Sequence, residues 1–257
     1  MDAPHDDGFV LNEITESGIG IITFGHPMSN ALPGHILQTL ADTITEMAAD
    51  ERTKVLVLQS QGSKAFCAGA NFDELISIQD LDAGLEFFSG FAKVINACRK
   101  APKLIIGRVQ GRAVGGGVGL ASATDYCLAT TKADVKLSEL AVGIGPFVVG
   151  PAVERKIGLS AMSELAINAS EWRSAQWAKE KGLYTEIFED EQLLDSAIQT
   201  LSTTLAQSNP EAMHELKKIF WQGTENWDEL LLQRAAISGR LVLSEFTRNA
   251  ISAFKAK

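Results

Sequence analysis

Cysteine is scarce in this chain of 257 residues: Cys67, Cys98 and Cys127 are the only three. They form no C-x-x-C pair, which argues against a disulfide framework or a thiolate metal site and points to free thiols in a reducing compartment. The four histidines, His5, His26, His35 and His214, have no metal-ligand spacing, and H-E-x-x-H is absent. No metal is expected. A Walker loop and a G-x-S-x-G elbow are also missing. Positive charge is in deficit, with 23 Lys and Arg against 32 Asp and Glu, a net charge of −9. Such a chain is not expected to bind nucleic acid through a broad basic face. Long hydrophobic runs are lacking too. The stretch from Ala141 to Val153 is broken by Gly143, Gly145, Pro146, Gly150 and Pro151, so no membrane span is expected. Met1 to Asp7 is acidic and carries no apolar stretch, unlike a secretory signal or a basic transit peptide. A cytoplasmic location is the expectation.

What is present is ordinary globular composition, 46% apolar and 21% charged. The first two-thirds alternate strand-like and helix-like patterns. Residues 20–24 (GIITF), 54–60 (KVLVLQS) and 103–109 (KLIIGRV) read as buried strands, with shorter strands at 126–130 and 134–137. Ile36, Leu37, Leu40, Ile44 and Met47 mark a helix between the first two. Leu81, Leu85, Phe88, Phe91, Ile95 and Cys98 mark another before the third. This alternation predicts an α/β fold with largely parallel pairing. From about residue 150 the strand signal fades. Helices are predicted around 193–205, from Pro210 to about Trp221, and around 230–243. The chain is therefore divided into a core domain, residues 1–195, and a helical region, residues 196–257. That helical region is too short for a confident core of its own. It is expected to pack on the main domain or on a neighbouring subunit.

Two glycine-rich segments follow predicted strands: Lys64 to Asn71 (KAFCAGAN) and Gly111 to Leu120 (GRAVGGGVGL). Small residues let a ligand approach the backbone. A helix starting near Gly116 would aim unpaired N–H groups and its positive dipole end at a phosphate or a developing oxyanion. Tight helix–strand packing would explain the second run equally well. A dinucleotide fingerprint fits poorly, because residue 120 is leucine rather than the third glycine.

The phrases AFCAGANFDEL, GRAVGGGVGLASATDY and KLSELAVGIGP with VVGPAVERKIG resemble the crotonase superfamily of enoyl-CoA hydratases and isomerases. HPMSNAL at residues 26–32 and EKGLYTEIF at residues 180–188 are similar to further family segments, so the resemblance covers about residues 10–250. It implies a spiral of ββα units, a helical C-terminal trimerisation region, and a homotrimer or dimer of trimers. It also implies an acyl-CoA thioester as substrate, with coenzyme A as part of that substrate and no separate cofactor. By position in the motifs, the N–H groups of Ala68 and Gly116 would hold the thioester oxygen. Lys64, Phe66, Ala70, Asn71, Phe254 and Lys257 would contact the substrate or its CoA part; Asn71 stands where the family usually has aspartate.

Family hydratases place one glutamate just after the second glycine run and another about twenty residues later. Here the first place is Gly119 and the second is Glu139. A single carboxylate resembles the isomerases that convert 3-enoyl-CoA to 2-enoyl-CoA, with Glu139 moving the proton. A hydratase helped by Asp73 or Glu74, or an acyl-CoA-binding homologue without turnover, are the alternatives.

Overall fold

In the computed structural model, which describes residues 7–255, the chain opens with β1 (Phe9–Ile14), β2 (Ile19–Gly25), β3 (Ala31–Leu32), α1 (Gly34–Ala49) and β4 (Val55–Ser60). There follow β5 (Ala65–Cys67), β6 (Gly69–Ala70), α2 (Phe72–Ser77), α3 (Leu81–Lys100), β7 (Ile105–Val109), β8 (Arg112–Val114) and α4 (Gly116–Ala123). Next come β9 (Tyr126–Thr130), β10 (Val135–Lys136), a 3-10 turn (Glu139–Val142), α5 (Gly150–Ile167), α6 (Ala175–Glu180) and β11 (Glu186–Phe188). Four helices close the chain: α7 (Glu191–Ala206), α8 (Pro210–Phe220), α9 (Trp227–Val242) and α10 (Glu245–Lys255).

The large sheet has the order β1-β2-β4-β7-β9-β11, parallel except for the antiparallel edge strand β1. Two small sheets, β10-β8-β5 and β3-β6, stand beside it. Each turn of the chain thus gives one strand to the large sheet, one or two to the small sheets, and then passes to a helix. This is the expected ββα spiral. Strand β4 is apolar on both sides because both of its faces are covered. Leu56 and Leu58 face α1 and α3, while Val55 and Val57 share a second cluster with Leu194 and Ile198 of α7.

The predicted strands and helices all form. Among the elements with no sequence expectation are β1, β5, β6, β8, β11, α5, α6 and α10. In α5 the helical period is interrupted by Gly158 at φ +75°. The boundary expected at residue 195 falls inside α7, which packs on the large sheet, so the all-helical part begins with α8. That part folds back on its own core. Gly84 of α3 and Gly239 of α9 meet so closely that a β-carbon on Gly84 would lie 2.8 Å from the Gly239 Cα. Helix α8 is tied down by Lys217, whose Nζ lies 2.6 Å from Oδ2 of Asp125, both side chains being buried. Oδ1 of Asp125 accepts from Trp221 Nε1 at 2.7 Å.

Candidate active site

The HPMSNAL segment is a brace. Ser29 and Asn30 both take left-handed backbone, φ +55° and +58°. Asn30 is buried; its amide donates to the carbonyls of Gln61 at 2.9 Å and Ala65 at 3.0 Å, and its Oδ1 accepts from the His26 N–H at 2.8 Å. One side chain therefore fixes the loop that leads into β5 and β6.

Strands β3 and β6 pair in parallel, Ala31 opposite Gly69 and Leu32 opposite Ala70. The Asn71 N–H donates to the Leu32 carbonyl at 3.0 Å. Successive peptides along a strand point to opposite sides. The Ala70 N–H therefore points away from β3, towards a cavity of about 820 Å³ that Ala70 lines. Across the same wall stands the start of α4. A β-carbon on Gly69 would lie 3.7 Å from the Gly116 nitrogen, so the two peptides are neighbours. Gly116 opens α4, and first-turn N–H groups have no intrahelical acceptor.

Gly115, just before the helix, has φ +53° and ψ −115°, a backbone that glycine tolerates best. Its N–H donates to the Lys136 carbonyl at 2.8 Å, which draws β10 and the following turn over the glycine run. Glu139 opens that turn. Its Oε1 lies 2.9 Å from the point where a β-carbon on Gly115 would sit. Its Oε2 is buried and has no hydrogen-bond partner among the described residues. Burial without a compensating cation pushes the carboxyl up to about 7, against a weaker opposing backbone hydrogen bond. Among the described residues that line the cavity, Glu139 is the one carboxylate and Lys136 the one cation.

The other expected site residues divide. Ala68 lines the cavity, but its N–H donates to the Ser29 carbonyl at 3.2 Å. It is therefore already engaged, and the neighbour of Gly116 that faces the cavity is Ala70. Phe66 is fully buried and packs edge-on against Phe24, with ring centroids 5.4 Å apart; it belongs to the core, not to the cavity wall. Asn71 caps α2, its Oδ1 accepting from the N–H groups of Asp73 at 2.9 Å and Glu74 at 3.0 Å. Lys64 is exposed and does not line the cavity. Glu74 reaches back to the Gly34 N–H at 2.9 Å and so caps α1, while Asp73 is exposed. The Phe254 side chain and Lys257 lie outside the described residues.

Several wall residues escaped the sequence. Phe72, Phe87, Phe88, Phe91 and Phe147 give the cavity an apolar lining. Ala250 and Ala253 of α10 close one side of it. Trp172 and Ser170 also line it, from a segment with no motif of its own, and Val149 does so from the VVGPAVERKIG segment. The phenylalanine periodicity on α3 was visible as a buried helix face, but nothing in it separates a core from a pocket. Cys67, Cys98 and Cys127 are buried free thiols, each pushed up to about 12 by burial, so none is a poised nucleophile.

The sequence profile of the enoyl-CoA hydratase/isomerase family matches residues 14–252. Mouse methylglutaconyl-CoA hydratase is 29% identical over 227 residues, covering 86% of this chain and 72% of that protein. A probable enoyl-CoA hydratase of Bacillus subtilis is 26% identical over 241 residues, 93% of each chain. The crystal structure of enoyl-CoA hydratase from Bacillus halodurans superposes with a TM-score of 0.87 at 21% identity, covering 95% of this chain and 99% of that one. This last likeness is one of fold.

Proposed function

The chain belongs to the enoyl-CoA hydratase/isomerase family, and we propose that it moves a double bond within an enoyl-CoA thioester. The observation that carries this is the single carboxylate in the cavity wall, Glu139, with a proton affinity near neutrality. The ionised carboxylate takes a proton from C2 of a 3-enoyl thioester. The electron pair left behind delocalises into the thioester carbonyl, whose oxygen becomes negative. The N–H groups of Ala70 and Gly116 hold that oxygen, replacing the pair Ala68 and Gly116 taken from the motifs. Such donors contribute roughly 2.7–4 kcal/mol each to a transition state in a dry site. Glu139 then returns the proton to C4, and the double bond lies between C2 and C3. One carboxylate serves both steps, and no water is activated.

The names of the relatives favour a second function, hydration of a 2-enoyl-CoA. That reaction uses a second acid, and none of the other described residues lining the cavity is a carboxylate. Asp73 and Glu74, the substitutes considered from sequence, point elsewhere. Supplying the purified protein with 3-enoyl-CoA and 2-enoyl-CoA esters separates the two functions. Isomerisation should be the faster, and Glu139→Gln should lower it by roughly 10²–10⁴ while thioester affinity stays nearly unchanged. Wild-type rates in Glu139→Gln would remove Glu139 from the chemistry. Binding of thioesters without any turnover would favour a non-catalytic carrier.

Assembly as a homotrimer or a dimer of trimers is part of the same proposal. Leu216, Ile219 and Phe220 of α8 are exposed in the single chain, as are Leu159 and Ile167 of α5. Sedimentation at micromolar concentration tests this, and a monomer would overturn it.

A further inference from the structure

We propose that Lys136 is a specificity residue that pairs with a carboxylate on the acyl chain, so that the preferred thioester carries a second acid group. This rests on the cavity being the thioester site. Its walls are mostly apolar, and Lys136 is the one cation among the described residues lining them. No carboxylate of the described residues forms an ion pair with it. The Lys136 side chain is half-buried, and an anionic group entering the cavity would give its ammonium a charge-assisted partner. The nearest support is the ring of Trp172, whose centroid lies 5.3 Å from the Lys136 Nζ. The guanidinium of Arg112 stands over the same ring at 4.9 Å. Two cations thus flank one cavity-lining indole in a chain whose net charge is −9. An anionic group reaching Trp172 would meet both of these positive charges.

Position selects which anion. The Lys136 carbonyl accepts from the Gly115 N–H at 2.8 Å, one residue from the proposed oxyanion donor Gly116. The ammonium therefore works within one side-chain length of the thioester wall. The phosphates of coenzyme A are held away from the thioester by the whole pantetheine arm, whereas a short acyl chain ends close by. Nor is Lys136 aimed at the proton shuttle. The Glu139 carboxyl is pushed up by burial, with no contribution from a neighbouring cation, as a nearby ammonium would hold it down.

The test is calorimetry of the purified protein with saturated acyl-CoA esters of equal chain length, ending in a methyl or in a carboxylate. Wild type should bind the acid-ended ester at least tenfold more tightly. Lys136→Met should bring the two affinities to within about twofold, and Lys136→Arg should keep most of the preference. Equal affinities in wild type would overturn the proposal. So would a Lys136→Met loss that is equal for both esters and vanishes with pantetheine thioesters, which lack the phosphates; the contact would then be to coenzyme A. Turnover of the unsaturated esters is scored separately. A binding preference without turnover refutes the proton-transfer function and leaves Lys136 in place; turnover with equal binding refutes only the role of Lys136.

Discussion

A β-carbon on Gly119 would lie 2.5 Å from Cγ1 of Val149 and 2.8 Å from its Cβ. The valine occupies the space into which a second carboxylate would grow from α4, and it presents a methyl-bearing wall to the cavity instead. Glycine at 119 and valine at 149 are one packing solution. They exclude from this side the acid that water addition would use.

Gly119→Glu alone should therefore fail to create a hydratase. Overpacking against Val149 costs roughly 1–3 kcal/mol, so a lower melting temperature is expected with no gain in hydration. The double change Gly119→Glu with Val149→Gly frees the space and should add measurable hydration of a 2-enoyl-CoA. A hydration assay on both variants decides, and strong activity in the single variant would show that the valine yields.

Isomerisation should depend on pH through Glu139. The ionised carboxylate starts the reaction, and burial raises the group to about 7. Below that pH kcat/KM should rise about tenfold per unit, then level off above it. The folded value lies above the ordinary 4.5. The linked stability is thus complete below about 4.5 and is lost as pH rises through about 7, on the order of 3 kcal/mol in all. Glu139→Gln should remove this loss, which urea unfolding at pH 5 and pH 8 would reveal. An unchanged difference between the two pH values would place the titration elsewhere.

At Gly116 two demands coincide. A β-carbon there would lie only 2.1 Å from Cζ of Phe91, far inside contact distance. Gly116→Val should abolish turnover and also lower stability by roughly 1–3 kcal/mol, so packing and oxyanion binding are both lost. Gly116→Ala adds only that one β-carbon, so the Phe91 ring must shift, but it is milder than valine. Circular dichroism should show a folded protein whose turnover has fallen by at least a hundredfold, and near-normal turnover would confine the glycine to packing.

The buried pair of Asp125 and Lys217 should dominate the attachment of α8. Asp125 also accepts from the Ile105 N–H at 2.8 Å and from Trp221. Asp125→Ala would leave the Lys217 charge buried and unpaired, at a cost of roughly 3–5 kcal/mol. Denaturant unfolding measures it. A loss below about 1 kcal/mol would mean that water reaches the ammonium.

The sequence by itself determined an alternating α/β chain with parallel pairing, because that evidence is local and repeated; the ββα spiral was implied only by the family resemblance. Each buried strand is a short run such as Val55 to Leu58, each amphipathic helix shows its own period, and Gly115 to Gly117 stand at a strand–helix junction whichever way the rest packs. Glu139 was legible for the same reason, since its motif is contiguous. Ala68 does line the cavity, but the sequence could not show that its N–H is taken by the Ser29 carbonyl, nor that Phe66, in the middle of β5, packs into the core against Phe24. Only the pairing of β6 with β3 decides that Ala70 faces the cavity, while Ala68 bonds to Ser29. Asn71, expected to contact the substrate, and Glu74, considered as a substitute acid, became helix caps once α1 and α2 met. The remaining cavity wall, with Trp172, Lys136 and Val149, draws on three separate segments. Their chemistry depends on distances across the fold, and local propensity carries no record of those distances.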